Sequence, residues 1–143
     1  MITIHDYNFI GCKFKNLVEL NQVLSNKLPI PKEVLNRYPE DNINLGDFEE
    51  CSIIYNSNNQ YELILKNDSY GNYNDLLFAF ILSYYLKEGH IELYFELDAN
   101  DTFTNESLFY KYNILPNLIE YLEAEMIYKT KDVYILGEET WHI

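Results

Sequence analysis

The chain has 143 residues, 48% of them hydrophobic, and a formal net charge of −13 at pH 7 from 23 acidic and 10 basic side chains. This length suits one domain that buries roughly 70% of its unfolded surface, and the hydrophobic content excludes an intrinsically disordered chain. The negative charge disfavours direct binding to nucleic acid or to an anionic membrane, because both attract basic side chains.

The N-terminal residues Met1–Asp6 contain no basic segment followed by an apolar stretch, so no signal peptide is expected. Cys12 and Cys51 lack the spacing of a disulfide framework or a CxxC motif, which favours a reduced cytoplasmic protein. The longest apolar run, residues 76–86, would cover only about 16 Å as a helix against a hydrocarbon core of about 30 Å. No membrane span is therefore predicted.

The first half of the chain predicts a strand, two helices and a β-hairpin. Asn16 can cap a helix, Pro31 suits a first helical turn, and the asparagines within 56–60 tolerate the conformations of a tight turn. The predicted elements are a strand at 2–10 with a bulge near Asp6, a helix from Asn16 to before Pro29, a short helix from Pro31 to Tyr38, and hairpin strands at 52–55 and 61–66. Residues 40–50 and 67–74 are polar and predict loops.

The second half opens with a segment, 75–88, that is apolar on nearly every side and predicts a buried central helix ended by Gly89. Residues 90–98 alternate and predict a strand, with Ile91, Leu93, Phe95 and Leu97 on one face and Glu92, Tyr94, Glu96 and Asp98 on the other. Two helices are predicted next, one at 105–112 capped by Thr104 and one opened by Pro116. The stripe of the second helix is Leu115, Leu118, Ile119, Leu122 and Met126. A short strand at 127–128 and a last strand at 133–136 complete the prediction.

This element order predicts an α+β fold in a single domain, 1–143, with a mainly antiparallel sheet and helices packed on one face. The apolar face of the strand 90–98 is expected to pack on the helix 75–88, which needs cover on all sides.

Sequence signals for catalysis or cofactor binding are absent. The five glycines are too dispersed for a dinucleotide or phosphate loop, no Gly-x-Ser-x-Gly occurs, and the three histidines are isolated. The segment 98–102 opens like a calcium loop, but Phe103 and Phe109 stand where that loop needs glycine and glutamate. No catalytic residue, cofactor or metal is therefore predicted, although Cys12 and Cys51 are conceivable nucleophiles.

Carboxylates beside aromatic rings that are expected to be exposed form the candidate site. Tyrosine supplies rigid contact area at interfaces, and carboxylates complement lysine and arginine on a partner. Glu120 and Glu123 are expected to lie together, opposite the apolar stripe of their helix. The candidate partner-binding residues are Glu92, Tyr94, Glu96, Asp98, Asp101, Glu106, Glu120, Glu123, Glu138, Glu139, Tyr70 and Tyr73.

These features favour a binding protein over an enzyme. The leading interpretation is an acidic inhibitor of a basic protein, either an immunity protein that neutralises a toxin such as a nuclease or an anionic mimic that occupies a nucleic-acid-binding groove. The alternatives are a small acidic chaperone or adaptor, and an enzyme whose site is assembled from scattered residues. The charge could also serve only to keep a tyrosine-rich protein soluble.

Overall fold

A computed structural model describes residues 3–46, 48–67, 73–98, 106–127 and 130–143. In chain order its elements are β1 (Thr3–Phe14), α1 (Leu17–Leu24), α2 (Lys32–Arg37), β2 (Phe48–Tyr55), β3 (Tyr61–Asn67), α3 (Asp75–Tyr85), β4 (Leu86–Asp98), β5 (Glu106–Leu115), β6 (Leu118–Ile127) and β7 (Asp132–His142). Among the helices in these ranges, none has both the length and the apolar character needed to cross a lipid bilayer.

Two antiparallel sheets form the β structure. The larger sheet has the strand order β1-β4-β5-β6-β7, and the smaller one is the β2-β3 hairpin. Strands β4 to β7 follow one another as a meander. The fifth strand, β1, comes from the N-terminal part of the chain and pairs with β4. The prediction of a mixed, mainly antiparallel fold in a single small domain is confirmed.

Helix α1 begins as predicted, because Asn16 Oδ1 accepts a hydrogen bond of 3.1 Å from the Glu19 N–H. Leu20, Val23 and Leu24 on its inner side are buried. Asn21 joins the helix to β2 by accepting from the Ile53 N–H at 2.7 Å and donating to the Ile53 carbonyl at 2.9 Å. This double contact fixes the hairpin against the helical part of the fold.

Helix α3 is buried on nearly all sides, as its sequence predicted. Its N-terminus is capped by Asn74, whose Oδ1 accepts from the Leu77 N–H at 3.1 Å. The helix ends at Tyr85, three residues earlier than predicted, and β4 begins at the next residue. The predicted end at Glu88 is wrong because residues 86–96 pair with β1, which places Gly89 inside a strand at φ +82°.

The two helices predicted after residue 104 are wrong, because both segments are strands of the meander. Pro116 and Asn117 form the tight turn between β5 and β6, with Asn117 in the left-handed region at φ 59°. Asparagine tolerates that conformation, so Pro-Asn here connects strands and does not open a helix. The last strand is also longer than predicted, since β7 covers residues 132–142. The proposed cap Thr104, residues 99–102 of the calcium-like segment 98–102, and Tyr128 lie outside the described residues.

The core lies between α3 and the large sheet. Ser83 Oγ donates to the Leu115 carbonyl at 2.6 Å, and the rings of Phe80 and Trp141 lie 5.9 Å apart. Helix α3 therefore rests against the turn between β5 and β6 and against the end of β7. Three predicted strip residues of β4, Ile91, Leu93 and Phe95, are fully buried in the same core, as are Ile114 and Ile119. Tyr112 lies beside them and is almost completely buried.

Candidate protein-binding surface

The register of the meander assigns each side chain to one of two faces. Ile91 is opposite Ile114, and Ile114 is opposite Ile119, so these three fully buried residues share the face that belongs to the core. Residues of the opposite parity project from the other side, because alternate side chains of a strand point to opposite faces. We call that side the outer face; its members include Glu92, Tyr94, Lys111, Asn113, Glu120, Leu122, Glu138 and Thr140.

Four of the predicted site residues meet on the outer face. Glu92 and Tyr94 lie in β4, Glu120 in β6 and Glu138 in β7, and both Glu120 and Glu138 are exposed. Glu123 and Glu139 do not join them, because they are opposite Tyr110 and Tyr121, on the core side of the sheet. The expectation that Glu120 and Glu123 lie together is wrong, since side chains three residues apart on a strand point to opposite faces.

The remaining predicted residues are placed as follows. Glu96 and Asp98 lie in β4 opposite Phe109 and Ser107, and Glu106 starts β5 opposite Ile127. The side chains of these three acids lie outside the described part of the structure. Asp101 and Tyr70 lie outside the described residues.

Tyr73 packs into the protein interior. Its ring contacts Phe48, Phe78 and Phe95 at centroid distances of 5.9, 6.2 and 6.4 Å. Its hydroxyl is buried without a hydrogen-bond partner in the described part of the chain, and burial raises its pKa well above the usual range. A ring held in this way supports the fold, and it offers a partner little contact surface.

Glu92 is the centre of a small network on the outer face. Its carboxylate accepts a hydrogen bond from the Tyr94 hydroxyl, and its oxygens lie 3.6 Å from Lys111 Nζ and 3.4 Å from His90 Nε2. The bond from Tyr94 lowers the pKa of Glu92, with Lys111 and His90 acting in the same direction against a smaller effect of burial. The same bond raises the pKa of Tyr94.

Lys111, in the neighbouring strand β5, contacts both Glu92 and Tyr94 of this network. Its ammonium lies 5.3 Å from the centroid of the Tyr94 ring, close enough for a cation–π contact. Burial acts to lower the pKa of Lys111, but the bonds and charges of Tyr94 and Glu92 outweigh it, so that the pKa is raised. The network keeps Tyr94 in one orientation and neutralises much of the charge of Glu92.

Beside the network lies a shallow cleft of about 320 Å³, lined by Lys111, Asn113, Glu120, Tyr121, Leu122, Glu138, Glu139 and Thr140. Its two outer-face carboxylates, Glu120 and Glu138, outnumber its single lysine, which is already engaged with Glu92. No salt bridge within the described ranges involves Glu120 or Glu138. Asn113 Oδ1 adds a buried acceptor that has no hydrogen-bond partner among the described groups. The cleft is thus equipped to receive cationic, hydrogen-bond-donating groups.

The two cysteines are poor nucleophiles. Burial raises the pKa of Cys51 to about 12, and it also raises that of Cys12, whose Sγ donates to the His90 carbonyl at 3.1 Å. Both thiols are therefore protonated near neutral pH, whereas the thiolate is the reactive form. In the described ranges, no group of three or more histidine, cysteine, aspartate or glutamate side chains could hold a metal ion.

The sequence interpretation missed the polar residues Lys111, Asn113 and Thr140. Lys111 was assigned to the helix 105–112, whereas Asn113 and Thr140 lay outside every predicted element. The alternation in Tyr110-Lys111-Tyr112-Asn113-Ile114, with its β-favouring tyrosines, was the available signal. No protein-family model, curated protein or solved structure matches the chain. The chemistry of the outer face is thus the basis for a functional assignment.

Proposed function

We propose that this protein binds a basic protein through the outer face and thereby inhibits it, as an immunity protein does with a toxin such as a nuclease. The observation that carries the proposal is the cleft in which Glu120 and Glu138 stand exposed with no basic partner among the described residues. We further propose that all three helices pack on the core side of the large sheet, so that the outer face stays uncovered.

The spacing of the acids supports recognition of cationic side chains. Glu120 is opposite Thr140 and Leu122 is opposite Glu138, which makes Glu120 and Glu138 diagonal neighbours on adjacent strands. Diagonal neighbours lie about 7–8 Å apart, a distance that lets two lysine or arginine side chains bind side by side. The phosphate-binding groove of a nuclease presents such basic groups.

Tyr94 supplies the second requirement of an inhibitor, a rigid contact residue. Its hydroxyl is held by Glu92 and its ring by Lys111, so little conformational entropy remains to be lost on binding. Buried tyrosines are common at the energetic centres of interfaces. We expect Tyr94 to set the dissociation rate, while Glu120 and Glu138 set the association rate.

An acidic chaperone or adaptor is the second candidate, and one observation favours it. Val133, Tyr134, Ile135 and Leu136 are consecutive and all more than half exposed. An apolar strip of this kind suits contact with an aggregation-prone client. This candidate predicts binding dominated by apolar contact, with a weak dependence on salt.

The test begins with affinity capture from the source cell and identification of the bound protein by mass spectrometry. Association is then followed by stopped-flow mixing at several salt concentrations. The double variant Glu120→Lys/Glu138→Lys should slow association about tenfold or more at low salt, because electrostatic steering changes rates by factors of about 10 to 10³. The matched control Asp41→Lys/Glu49→Lys makes the same change in net charge at exposed positions away from β4–β7.

The proposal also requires stoichiometric inhibition of the partner's own activity. If the captured partner is a nuclease, nucleic acid should compete with the inhibitor for the same groove. An association rate that is indifferent to salt, or equal slowing by the two double variants, would remove the outer face from the interface and favour the chaperone.

A further inference from the structure

β7 forms one edge of the large sheet. It pairs with β6 along one side, and along the other side it pairs with no strand in the described ranges. The exposed fractions of Val133, Tyr134, Ile135 and Leu136 are 53, 52, 61 and 51%. Proteins usually protect such an edge with charges, prolines or a covering element, since unpaired N–H and C=O groups attract another strand. These four positions carry no such protection.

We propose that β7 receives an extended segment of the basic partner as an additional strand of the sheet. The inference rests on the proposed function and assigns the partner segment a chemistry: alternating apolar residues flanked by lysine or arginine. Main-chain hydrogen bonds along the edge would supply affinity, and the side chains of 133–136 would supply apolar contacts on both faces.

Charge complementarity selects this occupant over a second copy of the chain. Asp132 precedes the apolar residues, Glu138 and Glu139 follow them, and all three are exposed; Lys131 balances only one of these acids. Joining two β7 edges would bring both acid sets together, on chains that each carry a net charge of −13. Basic residues at the ends of an added strand would instead meet these acids.

The edge is continuous with the cleft, because Glu138, Glu139 and Thr140 of β7 also line it. A strand added along β7 therefore leads directly into the carboxylates of the outer face. One partner segment could contact the edge with its backbone and the cleft with its basic flank.

The test uses a synthetic peptide, Lys-Thr-Val-Thr-Ile-Thr-Lys, titrated into the isotopically labelled protein. The peptide should shift the backbone amide signals of residues 132–137 and slow their hydrogen exchange. Replacing both lysines of the peptide by glutamate should weaken binding about tenfold, which corresponds to about 1.4 kcal/mol. N-methylation of alternate peptide amides should abolish binding for one set of positions and spare it for the other.

Two variants of the protein complete the test. Ile135→Lys and Ile135→Glu should each weaken peptide binding about tenfold or more, since either charge disrupts the apolar edge. Ile54→Lys, at an exposed position in β2, should leave binding unchanged. Circular dichroism establishes that each variant is folded.

Peptide-induced shifts confined to other strands, or indifference to N-methylation of either set, would overturn strand addition. A concentration-dependent dimer in sedimentation that Ile135→Lys removes would assign the edge to a second copy.

The experiments distinguish failure of strand addition from failure of the proposed function. If the acid reversals slow partner association while Ile135→Lys has no effect on partner affinity, the outer face stands without strand addition. If the peptide binds and Glu120→Lys alone, a change in β6 and not on the edge, leaves partner association unchanged, strand addition is retained without the outer face.

Discussion

The hydroxyl of Tyr112 in β5 donates a hydrogen bond of 2.8 Å to Asp75 Oδ2 in the first turn of α3. Tyr112 is almost completely buried, and burial, followed by the charge of Asp75, raises its pKa far above the usual range. The tyrosine thus stays protonated and acts as a permanent donor. This bond joins the central helix to the middle of the sheet.

We expect Tyr112→Phe to lower the free energy of unfolding by about 1.5–3 kcal/mol, the usual worth of a hydrogen bond to a charged group. Urea denaturation measures the change. Tyr134→Phe is the matched control, because Tyr134 is more than half exposed. Equal effects of the two substitutions would show that the bond to Asp75 contributes nothing specific.

The glycines offer a second prediction. A Cβ on Gly89 would overlap the carbonyl of Ile10 and the carbonyl carbon of Gly11, and its φ of +82° is strained for other residues. Gly89→Ala should therefore cost about 2–4 kcal/mol. Gly11→Ala, with φ +60° but open space, should cost about 1 kcal/mol. Gly137→Ala, with no heavy atom within 4 Å, should stay within about 0.5 kcal/mol of the wild type. A different order of these three values in thermal denaturation would contradict the geometry.

Glu92 gives a pH-dependent prediction. Its pKa is lower in the folded protein than the ordinary value of 4.5, so the ionised carboxylate stabilises the fold above that value. This contribution is lost as the pH falls through the lowered pKa. The difference in unfolding free energy between wild type and Glu92→Gln should therefore shrink from pH 7 toward pH 3.

The cause of that shift can be tested separately. Because the hydrogen bond from Tyr94 is its largest cause, Tyr94→Phe should raise the Glu92 pKa, which NMR titration of the carboxyl carbon measures. An unchanged pKa would show that Tyr94 does not hold the carboxylate in solution.

Phe80 tests the packing of α3. It is fully buried, and its ring lies against Trp141, the only tryptophan of the chain. Phe80→Ala should cost about 3–5 kcal/mol and should shift the Trp141 fluorescence. Val18→Ala, at a position that is 70% exposed, is the control. A small loss of stability would mean that the helix is not the centre of the core.

The N-terminal two thirds of the fold followed from local rules. Asn16 caps α1, residues 61–67 form a hairpin strand, and the apolar run in α3 is buried, because each of these depends on neighbours in sequence. The sheet beyond residue 105 did not follow from such rules. Residues Leu118–Ile127 contain three glutamates, two leucines, one alanine and one methionine, which favour helices in isolation, and only pairing with β5 and β7 makes them a strand.

The prediction of helices after residue 104 also made part of the candidate surface wrong. Glu92 and Tyr94 were placed correctly on one strand face because their alternation is clean. Glu120 and Glu123 were grouped by a helical period and are separated by the strand period. Lys111, which neutralises Glu92, lies on the neighbouring strand, so its role depends on a register that no local pattern specifies.

The position of β1 has a consequence for the order of folding. Phe14 pairs with Leu86, far along the chain, whereas Leu115 pairs with Leu118 across a single turn. Closing a long loop costs more entropy and slows the search for native contacts. We therefore expect the β4–β7 meander to form early and β1 to be added late, as a strand that completes a sheet already assembled. Pulse-labelled hydrogen exchange would show amides of β5 and β6 protected before those of β1.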